Sequence, residues 1–150
     1  MSLHAVLILA AGFFPASDDM KKDGIKDELG RLEGTWVLVG RERDGKKADA
    51  DEIRSMGAKL VLKGDRFTYT SHEDQTGRQG TFKIYPKASP RAIEWTNASG
   101  PAKGEKVLGI YKLEGDRLTI CAGTGEGRPG EFSTRPGRTR VLLVWQRQKK

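Results

Sequence analysis

The sequence predicts an all-β domain, an eight-stranded antiparallel up-and-down barrel with a short N-terminal helix. Three observations predict it. Eight short runs alternate apolar and polar side chains, the period of a half-buried strand. Nineteen glycines fall mostly between those runs, where tight turns need positive φ. One hairpin chemistry recurs: Leu62-Lys-Gly-Asp-Arg-Phe67-Thr-Tyr69 matches Leu113-Glu-Gly-Asp-Arg-Leu118-Thr-Ile120, and Gly80-Thr-Phe82-Lys-Ile84 resembles Gly109-Ile-Tyr111-Lys-Leu113. Such repetition suits sequential antiparallel pairing, and eight strands suffice to close a barrel.

The elements follow in order along 150 residues, a length that accommodates one core. Leu3 to Phe14 is an apolar run interrupted only by His4. It is too short to span a bilayer, which takes about 20 residues, but it suits the apolar region of an export leader. Small residues at Ala16 and Ser17 then offer a processing site, although no Lys or Arg precedes the run. The expected division is a leader over residues 1–17 and a barrel domain over 18–150, located outside the cytoplasm, with no membrane span after processing. The competing reading of the apolar run is a buried N-terminal strand or helix.

Between Ser17 and Arg31, Ile25, Leu29 and Leu32 recur at helical spacing among charged residues, with Gly30 and Gly34 as stop signals. A second short helix is expected over Ala50–Met56, capped by Asp49. Strands are expected at Thr35–Arg43, Lys59–Lys63, Arg66–Ser71, Gln79–Tyr85, Arg91–Thr96, Val107–Leu113, Arg117–Ala122 and Thr139–Arg147. Gly64-Asp65 and Gly115-Asp116 are two-residue hairpin turns, and Asp44-Gly45 is a third signal of that kind.

Alternation assigns the faces. Trp36, Leu38, Leu60, Leu62, Phe67, Tyr69, Phe82 and Ile84 point inward, as do Ile93, Trp95, Tyr111, Leu113, Leu118, Ile120, Leu143 and Trp145. Thr68, Thr81, Lys83, Glu94, Lys112 and Thr119 point outward. The interior is therefore apolar, with tyrosine hydroxyls as its few polar handles. The same pattern fits a fully packed core and one that holds a small ligand. In the second case Tyr69, Phe82, Trp95 and Tyr111, being large, inward and mid-strand, would line the cavity.

Net charge is +7. The excess is concentrated from Glu126 to Lys150, where seven basic residues face two acidic ones. A solvated surface explains this; an anionic partner such as an envelope polysaccharide is the sharper alternative. Nucleic acid is disfavoured, because no aromatics interleave with these arginines as a stacking platform. Within this stretch, Gly123–Arg138 is long for a loop and carries Arg128, Arg135 and Arg138, stiffened by Pro129 and Pro136. It is expected to rim one barrel mouth, where those arginines would contact an anionic group; a plain surface loop is the competing reading.

No constellation of catalytic residues stands out. A single cysteine, Cys121, allows no intrachain disulfide and no cysteine-based metal site, and no histidine is evidently near it to activate a thiolate. His72-Glu73-Asp74 reads as a solvated hairpin loop before Gln75-Thr76-Gly77, so no metal is expected. Ser133 and Thr134 lack a nucleophile-elbow pattern, and no glycine-rich loop opens a helix. The expectation is a protein that is not an enzyme and carries no cofactor.

Two motifs carry a resemblance. Leu32-Glu-Gly34-Thr-Trp36 precedes the first strand, and Val141-Leu-Leu-Val-Trp-Gln-Arg147 closes the last. This pairing resembles the lipocalin and calycin barrels. The resemblance implies that Gly34, Trp36 and Arg147 are structural, the tryptophan closing the barrel base and the arginine lying across its ring. Arg140 is the alternative partner. The chain is more closely similar to a family of lipocalin-like domains of unknown function, abundant in planctomycete bacteria and often exported. The likeness covers nearly all of residues 28–147. It adds the Gly-Asp-Arg-Phe hairpin, Gly100-Pro-Ala-Lys-Gly104 before Gly109-Ile-Tyr111, Cys121, and Arg128-Pro-Gly-Glu-Phe132-Ser. The Thr-Asp-x-x-Tyr motif of typical lipocalins is absent, so their ligand classes do not transfer. What the resemblance implies is a fold and no reaction. Two functions follow: a module holding a small apolar or amphipathic molecule, or an interaction domain that binds another protein or an anionic envelope polymer.

Overall fold

The turns set the pairing. Gly64 and Gly115 take positive φ (58° and 61°) at the first central position of their two-residue turns. At Asp44-Gly45 both central residues do (54° and 74°), the twist that brings antiparallel strands back on themselves. The computed structural model describes residues 16–149 except 124 and 126, with side chains from residue 24 onward. The expected leader thus lies, through residue 15, outside the described residues.

Helix α1 (Ala16–Leu32) leads into β1 (Gly34–Arg43), the two-residue β2 (Lys46–Lys47) and helix α2 (Ala50–Met56). The chain then runs β3 (Lys59–Lys63), β4 (Arg66–Thr70), β5 (Arg78–Tyr85), β6 (Ala92–Asn97), β7 (Lys106–Glu114), β8 (Arg117–Gly123) and β9 (Arg140–Arg147). Consecutive strands from β3 to β9 pair antiparallel, and β1 pairs with both β3 and β9. Eight strands therefore close into a barrel, with β2 as a short return beside β1.

The interior is one cluster. Trp36, Leu60, Phe67, Phe82, Ile93, Trp95, Tyr111, Leu118, Ile120 and Trp145 are all buried in it. Burying each such side chain contributes about 1.5–3 kcal/mol, which is what holds the wall closed. α1 shuts one end. Leu32, with Ile25 and Leu29, packs into the cluster, and the helix continues through Gly30 to Leu32 before it stops. The turns at that end are tied to it, since Gly64 donates its backbone N–H to Glu33 (2.9 Å).

The opposite end is ringed by the β1–β2 turn, α2 and three loops. Asp49 caps α2 by accepting from the Glu52 backbone N–H (2.8 Å). Gly57 ends the helix in the left-handed region (φ 53°), where a side chain would be strained. The β4–β5 loop is anchored on α2: His72 donates its backbone N–H to Met56 (2.9 Å), and its Nδ1 lies 3.0 Å from the Ser55 carbonyl.

One irregularity re-aims the second half of β1. Between Leu38 and Gly40 the β1–β9 register slips by one residue, leaving Val39 as a bulge. Before the bulge Trp36 and Leu38 face inward, opposite Arg147 and Trp145. After it Arg41 lies opposite Leu143 and Arg43 opposite Val141. Directly opposed residues share a face, so the bulge turns Arg41 and Arg43 toward the barrel axis. Unbroken alternation would have sent Gly40 and Glu42 there instead.

Candidate functional site

A cavity of about 520 Å³ opens between the walls at the α2 end. This lies within the size range of small-molecule sites. Its depth is apolar: Leu60, Phe67, Trp95, Ile120 and Trp145 form the lower wall, with Tyr69, Val107 and Leu143 above them. Aromatic edges hold that wall in place. Phe67 meets Trp95 edge-on at 5.1 Å, and Tyr69 meets Trp145 edge-on at 6.3 Å. The Trp145 indole N–H is buried and finds no hydrogen-bond acceptor among the described residues.

Among the described residues, the charged side chains that line the cavity are Arg41, Arg43 and Arg78, without a carboxylate. Arg78 stands opposite Tyr69 in the β4–β5 register and lies over its ring at 5.8 Å, a cation–π contact that orients the guanidinium. Asp74 approaches it at 3.7 Å, and Glu52 on α2 approaches Arg41 at 4.0 Å; both pairs are partly exposed. Arg43 is exposed and has no ion-pair partner among the described residues. The mouth is therefore cationic over an apolar interior.

Of the four aromatics expected to line a cavity, two do. Tyr69 and Trp95 are in the wall. Phe82 is packed behind Trp95, with ring centroids 5.2 Å apart, and the indole screens it. Tyr111 lies at the closed end, where its hydroxyl donates to Glu28 of α1 (3.0 Å). Glu28 also pairs with Arg91 (2.9 Å), so a carboxylate that is only 5% exposed clips the helix onto the barrel. Burial, with the Glu28 charge beside it, pushes the Tyr111 hydroxyl above the ordinary tyrosine range. The two corrections have different causes: alternation does not give the height along the axis that sets Tyr111 against α1, nor the rotamer by which Trp95 screens its cross-strand partner Phe82.

The three loop arginines do not line the cavity. Among the described residues of this stretch, Gly123 and Thr139 at its two ends reach the mouth. Its middle crosses the outer wall as a strap. Arg128 lies over the ring of Tyr85 (5.4 Å), Phe132 sits under the Lys112 ammonium (5.1 Å), and Cys121 Sγ is 3.7 Å from the Ser133 carbonyl. Arg135 pairs with Glu131 (3.5 Å). The reason is apolar area on the outside of the barrel. Ala92, Ile110 and Cys121 stand side by side in register on outward positions and are all buried, as is Pro129 of the strap. Thr134 pins the returning strap to the β1–β2 turn, donating to Glu42 (2.9 Å) and accepting from Gly45 (3.0 Å).

Gly34, Trp36 and Arg147 meet at the closed end. The Arg147 guanidinium lies 4.3 Å from the Trp36 ring centroid. It donates to the carbonyls of Arg31 (2.6 Å) and Glu33, the last turn of α1 and the residue after it, and pairs with Asp116 (3.1 Å). The Trp36 indole donates to Leu32 (2.9 Å). At Gly34 a Cβ would stand 2.9 Å from Arg147 Nη1, so glycine leaves room for the guanidinium. Arg140 lies at the far end of β9, opposite Gly123, and is not the partner of Trp36.

Sequence reasoning missed Arg41, Arg43 and Arg78. For the first two, the available signal was Gly40 inside a strand, a common mark of a bulge. For Arg78 it was the strand boundary, which lies one residue earlier than expected. Elsewhere, burial raises the Cys121 thiol above its ordinary range, the opposite of an activated nucleophile. Among the described residues no group of three His, Cys, Asp or Glu is placed to hold a metal ion. No described helix is long and apolar enough to cross a membrane. Compared with protein-family models and with curated proteins, the chain finds no match in either.

Proposed function

We propose that this protein is an exported, non-enzymatic binding module of lipocalin-like type, which takes a small apolar or amphipathic molecule into the barrel through the mouth beside α2. The observation that carries the reading is the cavity itself: about 520 Å³, apolar in its depth, with its charged groups confined to the rim. A molecule seated there exchanges water for the faces of Trp95, Phe67 and Trp145, and burial of apolar area supplies the affinity. The Gly34–Trp36–Arg147 arrangement at the other end supports the lipocalin-like assignment. The buried, unactivated Cys121 agrees with binding rather than chemistry. The alternative, recognition of another protein or an anionic polymer through the basic C-terminal loop, has less support. Arg128 and Arg135 are already engaged, on Tyr85 and Glu131.

Native mass spectrometry of the purified protein, followed by titration with a panel of fatty alcohols, fatty acids and isoprenoids, tests the reading. Trp95 and Trp145 report occupancy through their fluorescence. Binding by at least one class is expected. Val107→Phe, which fills the cavity from its wall, is expected to abolish that binding while leaving the circular dichroism unchanged. A protein that carries no ligand and ignores the whole panel would refute the module.

A further inference from the structure

We propose that the ligand is an anion, an apolar body ending in an oxyanion head group that docks at Arg41, Arg43 and Arg78. This rests on the binding reading above and goes beyond it by assigning the chemical class and the orientation. Three observations converge on it. Among the described residues, the cavity is lined by three cations and no carboxylate. Two of those cations face inward only because the Val39 bulge inverts the alternation of β1. The third is held over Tyr69, the aromatic nearest it in the wall.

Guanidinium groups are costly to gather, because like charges repel and each must be kept hydrated or paired. Internal compensation is partial. Glu52 reaches Arg41 only at 4.0 Å and Asp74 reaches Arg78 at 3.7 Å, while Arg43 has no ion-pair partner among the described residues. An oxyanion at the rim completes the set with charge-assisted hydrogen bonds, for which the planar guanidinium fork is well shaped. The polarity of the site fixes the orientation. The lower wall of Leu60, Phe67, Trp95, Ile120 and Trp145 takes the apolar body, and the head remains at the mouth, where low-dielectric walls focus the positive potential.

Ligands of one chain length and four head groups separate the two levels of the argument. Decanoate, decyl phosphate, decanol and decyltrimethylammonium are titrated against the full chain, followed by tryptophan fluorescence and calorimetry. Decanoate or decyl phosphate is expected to bind about 30-fold tighter than decanol, the value of a charge-assisted hydrogen bond or two, and the cation weakest. Whichever anion wins distinguishes a carboxylate ligand from a phosphate one. The triple variant Arg41→Gln, Arg43→Gln, Arg78→Gln is expected to bring the anions down to the affinity of decanol and to leave decanol unchanged, which also certifies the fold. Added salt should weaken the anions alone. Equal binding of decanol and the anions, or an anion preference that survives the triple variant, overturns the oxyanion assignment and leaves the binding module standing. Failure of all four to bind overturns the oxyanion assignment, and the binding module falls with it when the isoprenoids of the wider panel fail as well.

Discussion

Removing the Arg147 side chain tests the closed end of the barrel most directly. Its guanidinium donates to the carbonyls of Arg31 and Glu33 and covers the Trp36 ring at 4.3 Å, and its side chain is about a quarter exposed (26%). Two hydrogen bonds from a charged donor contribute about 1 kcal/mol each at such a site. The ring contact adds about 0.5–1 kcal/mol. The Asp116 pair is half-exposed on the acid's side and adds little. Arg147→Ala should therefore cost about 3 kcal/mol, or roughly 10 °C in Tm for a domain of this size. The assay is urea unfolding followed by both tryptophan fluorescence and circular dichroism, with an unchanged m-value as the check on two-state behaviour. Arg147→Lys keeps the charge but loses the fork that reaches two carbonyls at once, so it should recover less than half of the loss. An alanine variant within about 0.5 kcal/mol of the parent would refute the clamp, as would full rescue by lysine.

Three further outcomes follow from other parts of the molecule. Glu28→Ala leaves the buried Tyr111 hydroxyl and Arg91 without their partner, and should destabilise by about 2–3 kcal/mol while accelerating amide exchange in α1 more than in the strands; uniform exchange would count against a helix clipped by this residue. Because the Tyr111 hydroxyl is raised in the folded state, its contribution is complete below the ordinary tyrosine value of 10.0 and falls away as pH climbs beyond it. Stability of the parent should therefore decline above about pH 10, and Tyr111→Phe should flatten that decline in alkaline unfolding titrations. Cys121 lies under the strap with its thiol raised, so an aromatic disulfide reagent should leave the native protein unmodified over minutes at neutral pH and label it fully in urea. Rapid native labelling would mean that the strap opens readily.

What the sequence determined alone was local. Turn glycines such as Gly64 and Gly115, and the period-two runs around Phe82-Lys83-Ile84 and Leu118-Thr119-Ile120, specify strands, their order and their inner faces. They do so because φ preference and side-chain direction act over two to four residues. The paired Trp36 and Arg147 were legible only through motif likeness, since nothing in either segment reveals that they are neighbours. The tertiary structure decided everything that depends on height along the barrel or on a contact between distant segments. It placed Phe82 behind Trp95 and Tyr111 against α1, and it buried Glu28, which from its helix alone reads as a solvated acid. It laid the β8–β9 loop over Ile110 and Cys121, because apolar side chains on the outer wall need a cover that no periodicity foretells. It also set the bulge at Val39. A one-residue slip between β1 and β9 costs little locally yet exchanges the faces of every residue after it, and by that exchange Arg41 and Arg43 come to stand at the mouth of the cavity.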